Sequence, residues 1–184
     1  MQHKGTNTIE TIRLVLRRFR IEDAGAMYRN WAGDPQVCKY LSWGPHRDEA
    51  ASRSRIREWV SRYGEQNFYV WAIEIKNQGM PVGSISVEIS NEQTSTCEIG
   101  YCIGRDYWNR GIMTEALRAI MHYLFFEIGY VMIQAKHDIL NTASGKVMQK
   151  AGMKYARLET NVGTRRDGTQ YDCVVYQKNI ADQE

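Results

Sequence analysis

Motifs for metal, nucleotide and membrane are missing from this chain, and each absence closes off a class of protein. The four cysteines, Cys38, Cys97, Cys102 and Cys173, form no C-x-x-C pair, and no His–Cys or H-x-x-x-H spacing offers a zinc site. They read as free, buried thiols in a reducing cytosol. No apolar run approaches the roughly 18 residues of a spanning helix, and the N-terminus has no apolar segment of the secretory kind. A cytoplasmic protein without a membrane partner is expected. Internal repeats, low-complexity tracts and linkers are absent too. The formal charge of +3 is too small to imply nucleic acid. Its basic residues are also dispersed: Arg13, Arg17, Arg18 and Arg20 form one group, Arg53, Arg55, Arg57 and Arg62 another. The second group reads as the solvated face of a helix.

What is present suits one domain. A chain of 184 residues is long enough to bury roughly two-thirds of its unfolded surface. Residues 1–8 are polar and expected to fray, leaving residues 9–181 as a single domain. Apolar and charged side chains alternate from Ile12 to Phe19, the pattern of a half-buried strand. Glu22 to Trp31 reads as a helix closed by Asp34-Pro35, and Asp48 to Tyr63 as a second. Strands follow at Phe68–Ile75, Pro81–Ile89 and Thr96–Ile103. Helical spacing of Met113, Leu117, Ile120, Met121, Leu124 and Ile128 runs from Gly111 to a stop at Gly129. Val131–Lys136 is a short buried strand and Thr142–Lys150 a helix. Tyr155–Val162 and Tyr171–Lys178 bracket the turn signal Arg166-Asp167-Gly168. The order β, αα, βββ, α, β, α, ββ predicts an α+β fold, an α/β/α sandwich around a mixed, mostly antiparallel sheet.

Two helix starts carry the chemistry. Trp108-Asn109-Arg110-Gly111-Ile112-Met113-Thr114-Glu115 follows a strand and opens the long helix. Backbone N–H groups converge in such a loop, and the helix dipole adds positive potential, which together suit a diphosphate. A Cβ at Gly111 would obstruct a phosphate or forbid a positive φ. Neither G-x-G-x-x-G nor G-x-x-x-x-G-K-[ST] occurs at this loop, which argues against a nucleotide-binding fold. Asn141-Thr142-Ala143-Ser144 opens a second helix, which ends at Ala151-Gly152-Met153.

These segments, in this order, resemble the GNAT superfamily of acyl-CoA-dependent N-acyltransferases, and within it the RimJ/RimL type that acetylates N-terminal amines of ribosomal proteins. Thr11 to Arg17 resembles the opening strand of that branch. Glu98 to Ile103 with Tyr107 to Gly111 resembles its strand and pyrophosphate loop. Asn141 to Met153 resembles its late helix, and Arg166 to Asp172 its closing hairpin. The resemblance covers nearly the whole chain. It implies a sheet of about seven strands with helices on both faces. One strand pair, Glu98–Ile103 and Val131–Lys136, would splay around acetyl-CoA, the co-substrate, with no metal. Residues implied to bind it are Tyr101, Cys102, Ile103, Trp108, Asn109, Arg110, Gly111, Ile112, Met113, Thr114, Asn141 and Ser144. Of these, the Arg110 side chain is free to reach a phosphate oxygen. Asn141 either holds the pantetheine arm or caps its own helix, and both roles can coexist.

The implied reaction moves an acetyl group from a thioester to a primary amine, a protein N-terminal amine among the acceptors, by direct attack in a ternary complex. The amine must lose a proton, the oxyanion needs donors, and the thiolate must leave. Backbone N–H groups near Tyr101 to Ile103 are the oxyanion donors that the resemblance implies. Glu98 is the candidate base, against its reading as a surface carboxylate, with Glu159 and Asp172 in reserve. Many family members carry a tyrosine seven residues after the asparagine; Met148 stands there and cannot donate a proton. Ser144, on the same helix face, is the candidate donor to sulfur, or simply an early-helix serine that satisfies the backbone. Tyr40 and Trp43 are expected to line the acceptor pocket, whereas Trp31 and Trp59 suit core packing equally well. Two other functions remain open: a non-catalytic acyl-CoA sensor, and an acetyltransferase for a small amine or antibiotic. The chain is expected to act as a monomer or homodimer.

Overall fold

A computed structural model describes residues 1–165 and 168–183. Its centre is one eight-stranded sheet in the order β1-β2-β3-β4-β5-β6-β8-β7. The strands are β1 (Ile9–Glu10), β2 (Leu14–Arg17), β3 (Val70–Ile75), β4 (Pro81–Asn91), β5 (Thr96–Ile103), β6 (Met132–Asp138), β7 (Lys154–Thr164) and β8 (Gln170–Asn179). Every neighbouring pair is antiparallel except β5 and β6. The helix α4 (Ile112–His122) supplies the long crossover that parallel neighbours require.

Period-two alternation in the strands builds two cores. Trp71 and Ile73 of β3 join Leu14, Leu16, Ile85 and Ile99 on one face, under α4 and α5 (Thr142–Lys150). Val70 and Ala72 point the other way, joining Phe19, Met27, Trp31 and Ile56 beneath α1 (Ala24–Met27) and α3 (Glu49–Arg62). Residues 70–73 are therefore buried on both sides, which explains their unbroken apolar character.

Several expectations need correcting. The strand sought over residues 12–19 is shorter, Leu14–Arg17, because a turn precedes it: the Thr11 amide bonds to the Leu14 carbonyl, and Ile12, 94% exposed, sits at its tip. A short β1 precedes β2 and pairs with it, Ile9 opposite Leu16, so the sheet of about seven strands has eight. Residues 2–7, expected to fray, are held. Gly5 donates to the Gln66 carbonyl, Thr6 Oγ1 to that of Phe68, and the Trp71 indole to that of Asn7. Polar composition hid this, because the segment's polar side chains and backbone groups alike find partners far along the chain. Asp34-Pro35 opens a turn of helix instead of only closing one. Asp34 accepts the Gln36 amide at 2.9 Å as the N-cap of α2 (Pro35–Cys38). The hairpin turn centred on residues 166 and 167 lies outside the described residues.

Of the first arginine group only Arg17 is buried. Arg17 donates two hydrogen bonds to Asp23 and one to Glu74, in a buried cluster whose carboxylates hold the guanidinium pKa above its ordinary value despite the opposing effect of burial. Along α3, Arg53 pairs with Glu49 and Arg55 with Glu58. Among the described residues no helix is long and apolar enough to cross a membrane.

Candidate active site

The strands β5 and β6 pair over only three rungs, Thr96 with Met132, Cys97 with Ile133 and Glu98 with Gln134. Beyond Glu98 they part. The register fixes what the gap receives. Gly104 donates to Val82 at 2.9 Å, and Val87 donates away from β5 to Tyr69 at 3.0 Å. Alternation along β5 therefore turns the backbone groups of Ile99, Tyr101 and Ile103 toward the gap. The Ile103 carbonyl there accepts the Trp108 indole N–H at 2.9 Å.

A cleft of about 540 Å³ runs along the gap. Its floor is Tyr101, Cys102 and Ile103, and one wall is the loop leading to α4, with Trp108, Asn109, Gly111, Ile112, Met113 and Thr114. Two left-handed residues, Asn109 at φ 59° and Gly111 at φ 73°, bend this loop into a concave shape. Gly111 is the N-cap of α4 and has no side chain to offer. The first-turn amides thus face the cleft without a side-chain acceptor. The opposite wall is the start of α5: Asn141, Thr142, Ala143 and Ser144, followed by Lys146, Val147 and Lys150. Here the cap is filled, because the Asn141 side chain accepts the Ser144 amide at 3.3 Å.

A smaller chamber of about 60 Å³ continues from the cleft at the point where the strands separate. Tyr40 and Leu41 enter it from the α1–α3 side, and Asn141 and Ser144 from the α5 side. Between them come Ile99, Gly100 and Tyr101 of β5 and Lys136 and His137 of β6. Tyr101 bridges the gap: its hydroxyl lies 2.9 Å from Ser144 Oγ and donates to the Ser144 carbonyl at 3.2 Å. Burial drives the Tyr101 phenol well above its ordinary pKa, so it stays protonated as a donor.

All but three of the residues expected at the site line these cavities. Glu98 sits on the last paired rung, and its carboxylate holds Lys136 Nζ at 3.1 Å. Burial works against the Lys136 ammonium, but Glu98 outweighs it and keeps the lysine pKa raised. Trp43 turns its ring to His46, 5.7 Å away, and packs against the α1–α3 core, where a large aromatic gains most by burial. Arg110 contributes its backbone to the loop. Its carbonyl accepts from Arg13 at 2.9 Å, and its guanidinium lies over the Tyr107 ring.

Sequence reasoning missed four contributors. Lys146 and Lys150, one helical turn apart, give the α5 wall positive charge; their spacing alone could have signalled it. Arg13 braces the loop by bonding both Arg110 and Glu115, 2.6 Å from the latter. His137 completes the chamber, and no sequence signal marks it. Among the described residues no group of three or more His, Cys, Asp and Glu gathers for a metal.

A sheet opened between parallel neighbours, with an uncapped helix N-terminus over the opening, defines a class of α+β protein that keeps a groove in its sheet beside free backbone amides. Within that class the chain belongs to the acetyltransferase (GNAT) domain family, whose pattern matches residues 13–154. It is 31% identical over 153 residues to the uncharacterized N-acetyltransferase p20 of Bacillus licheniformis, covering 79% of this chain and 84% of that one. A GNAT-family acetyltransferase from Bacillus anthracis superposes with a TM-score of 0.83 at 25% identity, over 97% of this chain and all of the other. The fold also matches RimL, a ribosomal alpha-N-protein acetyltransferase solved with coenzyme A. That match has a TM-score of 0.82 at 18% identity and covers 96% of this chain and 100% of RimL.

Proposed function

We propose that the protein transfers the acetyl group of acetyl-CoA to a primary amine, a protein N-terminal amine among its acceptors, by direct attack within a ternary complex. The observation that carries this reading is the three-rung pairing of β5 and β6, with the cleft between them bounded by the open N-terminus of α4.

Residues on both walls fit acetyl-CoA as donor substrate. The diphosphate suits the amides of Ile112, Met113 and Thr114, which Gly111 leaves uncapped. Lys146 and Lys150 face the same cleft and add charge of the right sign. The pantetheine arm suits the outward-turned backbone of Tyr101 and Ile103, whose amides also become the oxyanion donors. The paired hydroxyls of Tyr101 and Ser144 serve the sulfur side, in place of the tyrosine that Met148 replaces. Direct attack is favoured over an acyl-cysteine route by the state of Cys102. Burial pushes this thiol up to about 11, which leaves almost no thiolate near neutral pH.

Tyr40 and Leu41 lie where an amine would approach, on the face of the sheet opposite α5. Proximity of a neutral amine and a thioester in so narrow a gap supplies much of the rate, with about 7–11 kcal/mol available from orientation. Thiol release from acetyl-CoA, measured across peptides beginning with Ala, Ser and Met and across small amines, tests the proposal. Release with at least one acceptor is expected. Tight coenzyme binding without release across the panel would make the protein an acyl-CoA sensor instead.

A further inference from the structure

One charged group on the acceptor side of the sheet is left unused by that reading. β4 and β5 slip against each other by one residue: Val87 faces Ile99, Ile89 faces Glu98, and Glu88 between them faces nothing. Bulges of this kind re-aim a side chain, and they gather beside active sites. Here the bulge lays Glu88 over Gly100. A Cβ on residue 100 would fall 2.7 Å from Glu88 Oε1 and 2.8 Å from its Cγ, so any other residue there would displace the carboxylate. Gly100 itself lines the small chamber, together with Tyr40 and Leu41.

This is the face that an acceptor approaches. Ser84 Oγ of β4 lies 3.3 Å from Cys102 Sγ of β5, and Cys102 belongs to the α1–α3 core. Alternation puts Gly100 and Glu98 on the same side of β5 as Cys102. Glu98 is neutralised there by Lys136, and Glu159, whose charge also reaches Lys136, is paired with Arg157. Glu88 differs. It is exposed, its carboxylate accepts one hydrogen bond, from Ser86 Oγ at 2.6 Å, and among the described residues no cation pairs with it. Its charge still reaches the floor of the cleft: burial does most to raise the Cys102 thiol, and Glu88 adds to that.

The attacking amine must be neutral, and a carboxylate against it would favour the ammonium instead. Glu88 therefore suits a cation that keeps its charge throughout. We propose that Glu88 is a specificity-determining residue, holding a second, charged group of the acceptor while the reacting amine enters the chamber beside Tyr40. The preferred acceptors are then primary amines that carry another positive charge. Alkane diamines have that chemistry, and so do peptides with Lys or Arg in second place.

This inference rests on the acetyltransferase reading, and the experiment separates the two. Thiol release is compared for diaminobutane against butylamine, and for peptides beginning Ala-Lys against Ala-norleucine. Wild-type enzyme that releases no thiol with any amine sinks both readings. An active wild type is expected to favour the cationic member of at least one pair by about tenfold in kcat/KM, as one charge-assisted hydrogen bond implies. Glu88→Gln should bring that ratio within about twofold of unity. The loss should appear in KM for the cationic acceptor and not in KM for acetyl-CoA. Glu88→Lys, which sets a like charge before the diamine, should favour aminobutanoate over diaminobutane. A bulge needed only for folding would weaken every acceptor alike. A wild type indifferent to the second charge, or a Gln variant that keeps the preference, overturns the proposal. Should the variants fail to fold, the salt dependence of the wild type decides. KM for diaminobutane rising with sodium chloride while that for butylamine holds supports the site, and parallel KM values overturn it.

Discussion

Two helices begin at the same cleft and treat their first turns in opposite ways. α4 starts at Gly111 with no capping side chain, whereas α5 starts at Asn141, whose side chain closes on the Ser144 amide. An open first turn gives up the roughly 1 kcal/mol of a cap and keeps its amides for a guest. A closed first turn gives up amides and gains a fixed helix axis. That axis aims Ser144 at Tyr101 and lays Gly145 over His137. One terminus is shaped for binding and the other for alignment.

The sharpest way to break that contrast is Gly111→Val. A β-branched residue at φ 73° is strained, and its Cβ would come 3.5 Å from Arg13 Nη2, the side chain that braces the loop. Coenzyme A affinity, measured by calorimetry, is expected to fall by at least about a hundredfold, as a lost anion site of several hydrogen bonds implies. A variant that binds as wild type would show that the open terminus has no part in binding. Asn141→Ala should do the converse at the other wall. The cap is worth about 1 kcal/mol, so the melting temperature drops by a few degrees. Turnover should fall more than coenzyme affinity, because alignment is what is lost; the reverse ranking would merge the two termini into one role.

The smallest effect belongs to Glu115, which accepts from Thr11 Oγ1 and from both the backbone and the side chain of Arg13. Burial alone would raise its pKa, but these donors outweigh it and hold the carboxyl below the ordinary glutamate value. A lowered folded-state pKa gives stability that is complete above the unfolded value and disappears as pH falls through the folded one. Glu115→Gln is therefore expected to be slightly less stable than wild type at pH 7. The two denaturation midpoints should converge as pH drops below the ordinary carboxylate range. A constant difference across pH would mean that the carboxylate's charge is irrelevant there.

The two termini were readable before any coordinates because each rests on one short-range rule, a glycine at a positive φ and an asparagine at a cap. Most of the strands followed from side-chain alternation in the same way. What resisted reading depends on contacts between distant segments. His137 looks like any core-facing residue of a strand, and its surroundings are set by Gly145 of α5 and Tyr176 of β8, which pack against the ring. Glu98 stands where a base is wanted, but Lys136, paired across the gap, already holds it. Trp43 has the composition of a pocket loop and packs inward instead. Residues 2–7 were misjudged for the same reason: their partners lie more than 60 positions away at Gln66, Phe68 and Trp71.

Three rungs between β5 and β6 also divide the molecule mechanically. Strands β1 to β5 form one leaf and β6 to β8 the other, with a seam stitched at one end and loose at the other. Flexing about that seam changes the width of the opening without sacrificing a single rung inside either leaf. A guest seated in it acts as a staple across both, so occupancy and rigidity rise together.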